Sequence, residues 1–206
     1  MIAYILAAGA GTRIAPYGEC RPKTLLPVVN RPVLDHLCDA LSLAGIGQVV
    51  IAAAGGESDI RLCVADREEV RVVGVGTTTG TAISLLSVIE DGEPALVLFG
   101  DVLLDGADVK ALAGVVSIDG AALLVAPLAE GESRDWISVA VTEGRVDAIV
   151  GHPRSGASHR VAGFALPAGF KPWLEACPTH FPSVEVGMMP PAEPHLEAAV
   201  ESYRAS

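Results

Sequence analysis

Residues Ala7, Ala8, Gly9, Ala10, Gly11 and Thr12 are all small, and they stand between Leu6 and Arg13 in the run LAAGAGTR. In such a loop no bulky side chain keeps backbone N–H groups away from anionic oxygens, so they can close around a phosphate. Arg13 adds a planar fork that can grip two phosphate oxygens. Lys23 follows in the run PKTLLPV and offers a compact point charge suited to an α-phosphate or an incoming phosphate. Between residues 13 and 31 the basic side chains Arg13, Arg21, Lys23 and Arg31 face only Glu19, in a chain whose net charge is -11. A basic window in an acidic chain points to a local anion site. The competing reading is a set of solvated surface charges. Transfer of a phosphoryl-type group needs mainly in-line positioning and charge neutralisation, which these residue types supply.

A carboxylate of the right kind stands further along. Asp101 follows the apolar run Ala95–Phe99, with Gly100 permitting a tight turn. Such a carboxylate can hold Mg²⁺, which binds through oxygens and phosphates. The alternative is a turn or capping aspartate. Thr81 follows Gly80 where a helix pattern starts, so amides there can meet a ligand oxygen; the alternative is a simple cap. Two familiar glycine loops fit poorly. The dinucleotide fingerprint needs a third small residue where Ile14 stands. The Walker A loop needs glycine before its lysine, where Pro22 stands without an N–H to give.

The elements that position these residues can be read from periodicity. The continuous apolar run Ile2–Leu6 predicts a strand buried on both faces, and Gln48–Ala53, Val70–Val75, Ala95–Phe99 and Ala121–Pro127 predict further strands. Between them, helices are predicted from Pro32 to Gly45, from about Ser58, over Thr81–Glu90 and over Asp108–Ile118. This alternation predicts a three-layer α/β/α, Rossmann-like, mixed but mostly parallel sheet. Ligands then bind beyond the carboxyl ends of the strands, where the Leu6–Arg13 loop and Asp101 both fall. Ile137–Thr142, Val146–Val150 and Arg160–Leu166 predict short strands with little helix between them, a small β-rich extension. Residues 193–204 predict a final helix. The whole is read as a single domain over 1–206, with a nucleotide-binding half (1–127) and an acceptor-binding half (128–206).

Composition narrows the class. Half the residues are apolar and only 4% aromatic, so Ala, Val, Leu and Ile must build the core. The overall acidity argues against a nucleic-acid surface. The four cysteines show neither C-x-x-C nor zinc spacing, which favours a reducing, cytoplasmic setting. The start MIAYILAAGAG has no positive n-region and reads as a first strand, and no apolar run approaches membrane-span length.

The pairing of LAAGAGTR with PKTLLPV resembles the signature of the sugar-phosphate nucleotidyltransferases. GTTTGTAISLLSVIE resembles that family's Gly-Thr-Ala helix start, and ALVLFGD its strand ending in a metal-binding aspartate. The resemblance covers Met1 to about Gly106. It implies Mg²⁺ as cofactor, a nucleoside triphosphate bound by residues 6–12 with Gly80 and Thr81, and Arg13 and Lys23 as catalytic residues. It implies metal ligation by Asp101 and by Glu185, which stands where an aspartate is usual before the last helix. On the acceptor side it implies Gly163 in RVAGFALP, with Ser138 where a glycine is usual and His152 where a lysine is usual. No glutamine occupies VGVGTTTG, where the family reads the base, so Thr77–Thr79 or backbone groups must serve. The short chain implies a compact acceptor pocket.

The expected reaction moves a nucleoside monophosphate from a triphosphate to a sugar 1-phosphate and releases pyrophosphate. Three alternatives stay open: a cytidylyltransferase for phosphocholine or a phosphonate, a non-catalytic nucleotide-binding regulatory subunit, and an NAD-dependent enzyme, which Ile14 and the basic window disfavour. Acceptor, base and any homo-oligomer are left unspecified; neither nucleic acid nor membrane is expected as a partner.

Overall fold

The computed structural model describes residues 1–9, 11, 14, 17–76, 80–115, 120–129, 137–151, 158–177 and 193–206. In chain order the elements are β1 (Ile2–Ala7), α1 (Tyr17–Cys20), β2 (Pro27–Val28), β3 (Arg31–Pro32), α2 (Val33–Leu43), β4 (Val49–Ala53), α3 (Glu57–Cys63), β5 (Val70–Gly74) and α4 (Thr81–Leu86). They continue with β6 (Ala95–Phe99), α5 (Gly106–Gly114), β7 (Ala122–Pro127), β8 (Ser138–Thr142), β9 (Arg145–Gly151), β10 (His159–Leu166), α6 (Lys171–Glu175) and α7 (Leu196–Ala205).

The main sheet runs β5–β4–β1–β6–β10, with β7 on the far side of β10. The first four strands are parallel, and β10 is antiparallel to both β6 and β7. The expected β-rich extension is the β8–β9 hairpin, which joins the same sheet at His159 and Arg160. Alternation along each strand feeds two cores. Ile2, Tyr4 and Leu6 pack with Val50, Val97, Leu85, Leu174 and Leu196 under α4, α6 and α7. Ala3 and Ile5 pack with Ile51, Leu98, Leu34, Leu37, Ile60 and Val109 under α2, α3 and α5. Both faces of β1, β4 and β6 are therefore covered, which is why these three strands are apolar throughout. Each large aliphatic buried this way contributes about 1.5–3 kcal/mol.

Local signals explain most boundaries. Helix α2 ends where Gly45 takes φ 80°. There the Gly45 N–H donates to Ser42 O and the Ile46 N–H to Leu41 O, each at 3.0 Å. That pair of bonds is a Schellman cap, and glycine makes it inexpensive. Helix α5 starts two residues before the expected Asp108, because the Asp105 carboxylate accepts the Ala107 N–H at 2.7 Å. Helix α4 stops at Leu86 rather than Glu90: the Glu90 N–H goes to the Tyr4 hydroxyl at 2.9 Å, a tertiary partner from β1. Among the described residues, no helix is long and apolar enough to cross a membrane.

One buried carboxylate has a cost. Glu197, in the first turn of α7, is 4% exposed, and its Oε2 has no hydrogen-bond partner among the described residues. Burial pushes this carboxyl up to about 7, against a smaller lowering by its own backbone N–H. A native carboxyl raised above its unfolded value binds its proton more tightly when folded. The associated stability is therefore complete below the ordinary value of 4.5 and declines as pH rises towards about 7. In urea unfolding, Glu197→Gln should remove this decline and gain about 1–3 kcal/mol on wild type at pH 8 relative to pH 4.5. An unchanged pH profile in the variant would contradict this assignment.

Candidate active site

The parallel register sets Leu6 of β1 opposite Phe99 of β6. One further rung follows, the Gly100 N–H donating to Leu6 O at 2.9 Å. A Cβ on Gly100 would lie 2.9 Å from Leu6 O and 3.3 Å from both Ala7 Cβ and Thr24 Oγ1. Only a bare backbone fits there, and the chain leaves β6 with Asp101 beside the start of the glycine loop. The expectation that the loop and Asp101 share one edge of the sheet is met.

The loop folds back on α1. Gly11 takes φ 68°, and a Cβ on Gly18 would sit 2.5 Å from Gly11 O. Beneath it runs the stem of Lys23: a Cβ on Gly11 would be 3.2 Å from Lys23 Cγ, and one on Gly9 3.7 Å from Lys23 Cε. Lys23 opens a 3-10 turn, Lys23–Leu25, anchored by buried Thr24 and Leu25. Its Nζ then donates to Asp101 Oδ2 at 2.6 Å. The Lys23 side chain is 25% exposed and that of Asp101 45%. A pair this open contributes only about 0–1 kcal/mol to stability, so it can exchange partners at small cost.

Beside the loop lies a cleft of about 420 Å³, bounded by Ala7, Gly9, Gly18, Arg21 and Lys23 on one side and Gly55, Gly56 and Asp59 on the other. Its volume lies within the range of small-molecule sites. The second wall was not anticipated. Gly55 and Gly56 follow β4 with φ 73° and 60°, and a Cβ on Gly56 would strike Pro22 Cγ at 2.3 Å. A glycine pair directly after an apolar strand run was the available signal.

The basic window divides. Arg21 borders the cleft and Lys23 meets Asp101. Arg31 turns away onto α2, donating to Asp35 and to Asp39, each at 2.7 Å. Arg67 pairs with the same two carboxylates. Burial opposes ionisation of Asp35, but hydrogen bonds from Arg67 and Arg31 outweigh it and hold the carboxyl below its ordinary value. The Arg31 and Arg67 bonds hold Asp39 low as well. Arg31 is thus a structural cation.

Leu6, Ala7, Ala8, Gly9 and Gly11 lie at the C-terminal end of β1 and in the loop beyond it. Gly80 and Thr81 start α4 but meet the entry to α7. A Cβ on Gly80 would lie 2.5 Å from Pro194 O, and the Thr81 hydroxyl accepts the Leu196 N–H at 2.8 Å. Thr81 therefore caps α7. Ser138 is buried at the start of β8, opposite Arg160 and Gly151. Gly163 lies in β10, where a Cβ would sit 3.0 Å from Leu98 Cδ2 and 3.3 Å from Leu112 Cδ2, so core packing accounts for this glycine. Ala10, Thr12, Arg13, Thr77–Thr79, His152, Arg154 and Glu185 lie outside the described residues. Among the described residues no cluster of three or more His, Cys, Asp or Glu could hold a metal. Asp101 is a carboxylate that could bind a divalent cation through oxygen, and its cationic partner in the structure is the Lys23 ammonium.

The close approach at Gly100 is testable by thermal melting. Gly100→Ala should destabilise by about 1–3 kcal/mol through its clash with Leu6 O. Gly47→Ala, with nothing among the described residues within 4 Å of the new Cβ, serves as the neutral control. Equal melting temperatures for the two variants would contradict the packing described.

Comparison with known proteins follows the same lines. Residues 3–178 match the family described as MobA-like NTP transferase domain. The chain is 34% identical over 122 residues to the bifunctional protein GlmU of Cupriavidus metallidurans, covering 57% of this chain and 25% of that protein. It is 31% identical over 152 residues to GlmU of Paraburkholderia phymatum, covering 71% and 32%. The chain thus spans a quarter to a third of these curated relatives. In fold it is similar to a UDP-glucose pyrophosphorylase complexed with UDP-glucose, with TM-score 0.81, 15% identity and coverage of 99% of this chain and 86% of that one. A UTP-bound enzyme of the same kind from Acinetobacter baumannii gives TM-score 0.74 at 20% identity, covering 100% and 82%. With a match over most of its length and the strand-end loop, lysine and aspartate in one place, the chain belongs to the MobA-like NTP transferase domain family.

Proposed function

We propose that the protein joins a nucleoside monophosphate, taken from a triphosphate, to a sugar 1-phosphate, giving an NDP-sugar and pyrophosphate. The observation that carries this reading is the 2.6 Å contact of Lys23 with Asp101, with the Lys23 side chain lying close to Gly9 and Gly11. The acceptor phosphate oxygen attacks the α-phosphorus in line; the new P–O bond forms as the bond to the pyrophosphate oxygen breaks. The loop amides and Arg13 neutralise the departing pyrophosphate. Lys23 aligns the two reacting phosphates. Asp101, with Glu185, would hold Mg²⁺, which when bound neutralises phosphate charge.

In this reading residues 1–127 bind the nucleotide and residues 128–206 the acceptor, with Ser138, His152 and Gly163 on the acceptor side. Thr81 acts indirectly, by fixing the entry to α7 against the start of α4. The cysteine spacing, with neither C-x-x-C nor zinc pattern, supports a reducing, cytoplasmic setting as part of this reading. The fold neighbours named for UDP-glucose and UTP suggest UTP with glucose 1-phosphate as the first pair to try.

The test is pyrophosphate release across a panel of triphosphates and sugar 1-phosphates, with phosphocholine and a phosphonate included. Turnover should appear with at least one sugar 1-phosphate. Arg13→Ala and Asp101→Asn should each lower kcat/KM by at least about 100-fold with circular dichroism unchanged. Triphosphate binding in calorimetry without turnover on any acceptor would overturn the transferase reading in favour of a regulatory binding protein.

A further inference from the structure

Lys23 stands where Asp101 would meet a divalent cation. Its Nζ is 2.6 Å from Oδ2, and its stem lies close to Gly9 and Gly11, so the ammonium sits beside the loop that follows β1. The contact is partly open to solvent on both sides. No described cluster of three or more potential ligands offers the metal a ready cage. The lysine and aspartate together are a neutral pair, so a free dication gains little by approaching it. A triphosphate brings several negative charges and changes the balance for both groups.

We propose that the Lys23–Asp101 ion pair is an exchangeable lock on the site. In the ligand-free protein Lys23 serves as the cation of Asp101. When metal and triphosphate arrive together, Asp101 passes to the metal and Lys23 to the phosphate oxygens. The inference rests on the nucleotidyl-transfer reading above. Its consequence is coupling: triphosphate tightens metal binding, metal tightens triphosphate binding by the same factor, and Lys23 sets the size of that factor. Metal alone would bind up to about fivefold more weakly than to an unpaired Asp101, because the carboxylate must first give up its ammonium.

The experiment measures Mn²⁺ binding to the full chain by electron paramagnetic resonance, without nucleotide. It compares wild type, Lys23→Met, Asp101→Asn and the double variant, with Lys23→Gln as a second lysine replacement and circular dichroism to verify folding. Lys23→Met should bind Mn²⁺ roughly fivefold more tightly than wild type, the scale of one exposed ion pair, and the double variant should lose that gain. If Lys23→Met and Lys23→Gln both fold and bind no tighter than wild type, or if the double variant keeps the gain, the lock is overturned. A separate arm adds a non-hydrolysable triphosphate analogue to wild type. Mn²⁺ bound beyond what the analogue chelates without protein supports the site. No such excess overturns the nucleotidyl-transfer reading and the lock with it, a result distinct from failure in the nucleotide-free arm.

Discussion

The site depends on one backbone hydrogen bond beyond the regular ladder. Parallel pairing of β1 and β6 aligns two strand ends, and the Gly100 N–H carries that alignment one rung further onto Leu6 O. Everything chemical is referred to this rung. It fixes where the loop departs from β1 and where Asp101 departs from β6. The apolar strands behind it are buried on both faces, so neither end can drift without disturbing two cores. Loops supply the functional groups, and the sheet supplies their precision.

Charge is placed as economically as backbone. Four basic side chains close together in an acidic chain invite the view that all of them face an anion. The fold separates Arg21, Lys23 and Arg31 instead. Arg31 is drawn off by Asp35 and Asp39, in a network shared with Arg67. Arg21 borders the cleft, and Lys23 reaches Asp101. A cation already satisfied by two carboxylates contributes little to a nearby phosphate, whereas one held by a single exposed carboxylate is ready to change partner. The distinction lies in the partners, not in the residue type.

Much of the sheet was legible because its signals are local. Ala95–Phe99 is a strand from its apolar run alone, and Gly45 marks the end of α2 because the cap needs positive φ. The shared edge of the loop and Asp101 followed from strand order. What was not legible depends on distant segments meeting. Thr81 and Leu196 are 115 residues apart, and nothing near Thr81 announces that its hydroxyl caps α7. Glu90 leaves the helix pattern for Tyr4, 86 residues earlier. Gly56 is forced by Pro22, a contact between two loops. Helix α6 is only five residues long, too short for periodicity to register, and is held by burial of Leu174.

The central claim is that Lys23 and Asp101 serve one triphosphate and its metal. A crystal structure with Mg²⁺ and a non-hydrolysable triphosphate analogue tests it most directly. The account predicts the metal on Asp101 and a phosphate oxygen about 3 Å from Lys23 Nζ, with the ion pair between the two side chains opened. A triphosphate bound elsewhere, with Lys23 still joined to Asp101, would contradict it.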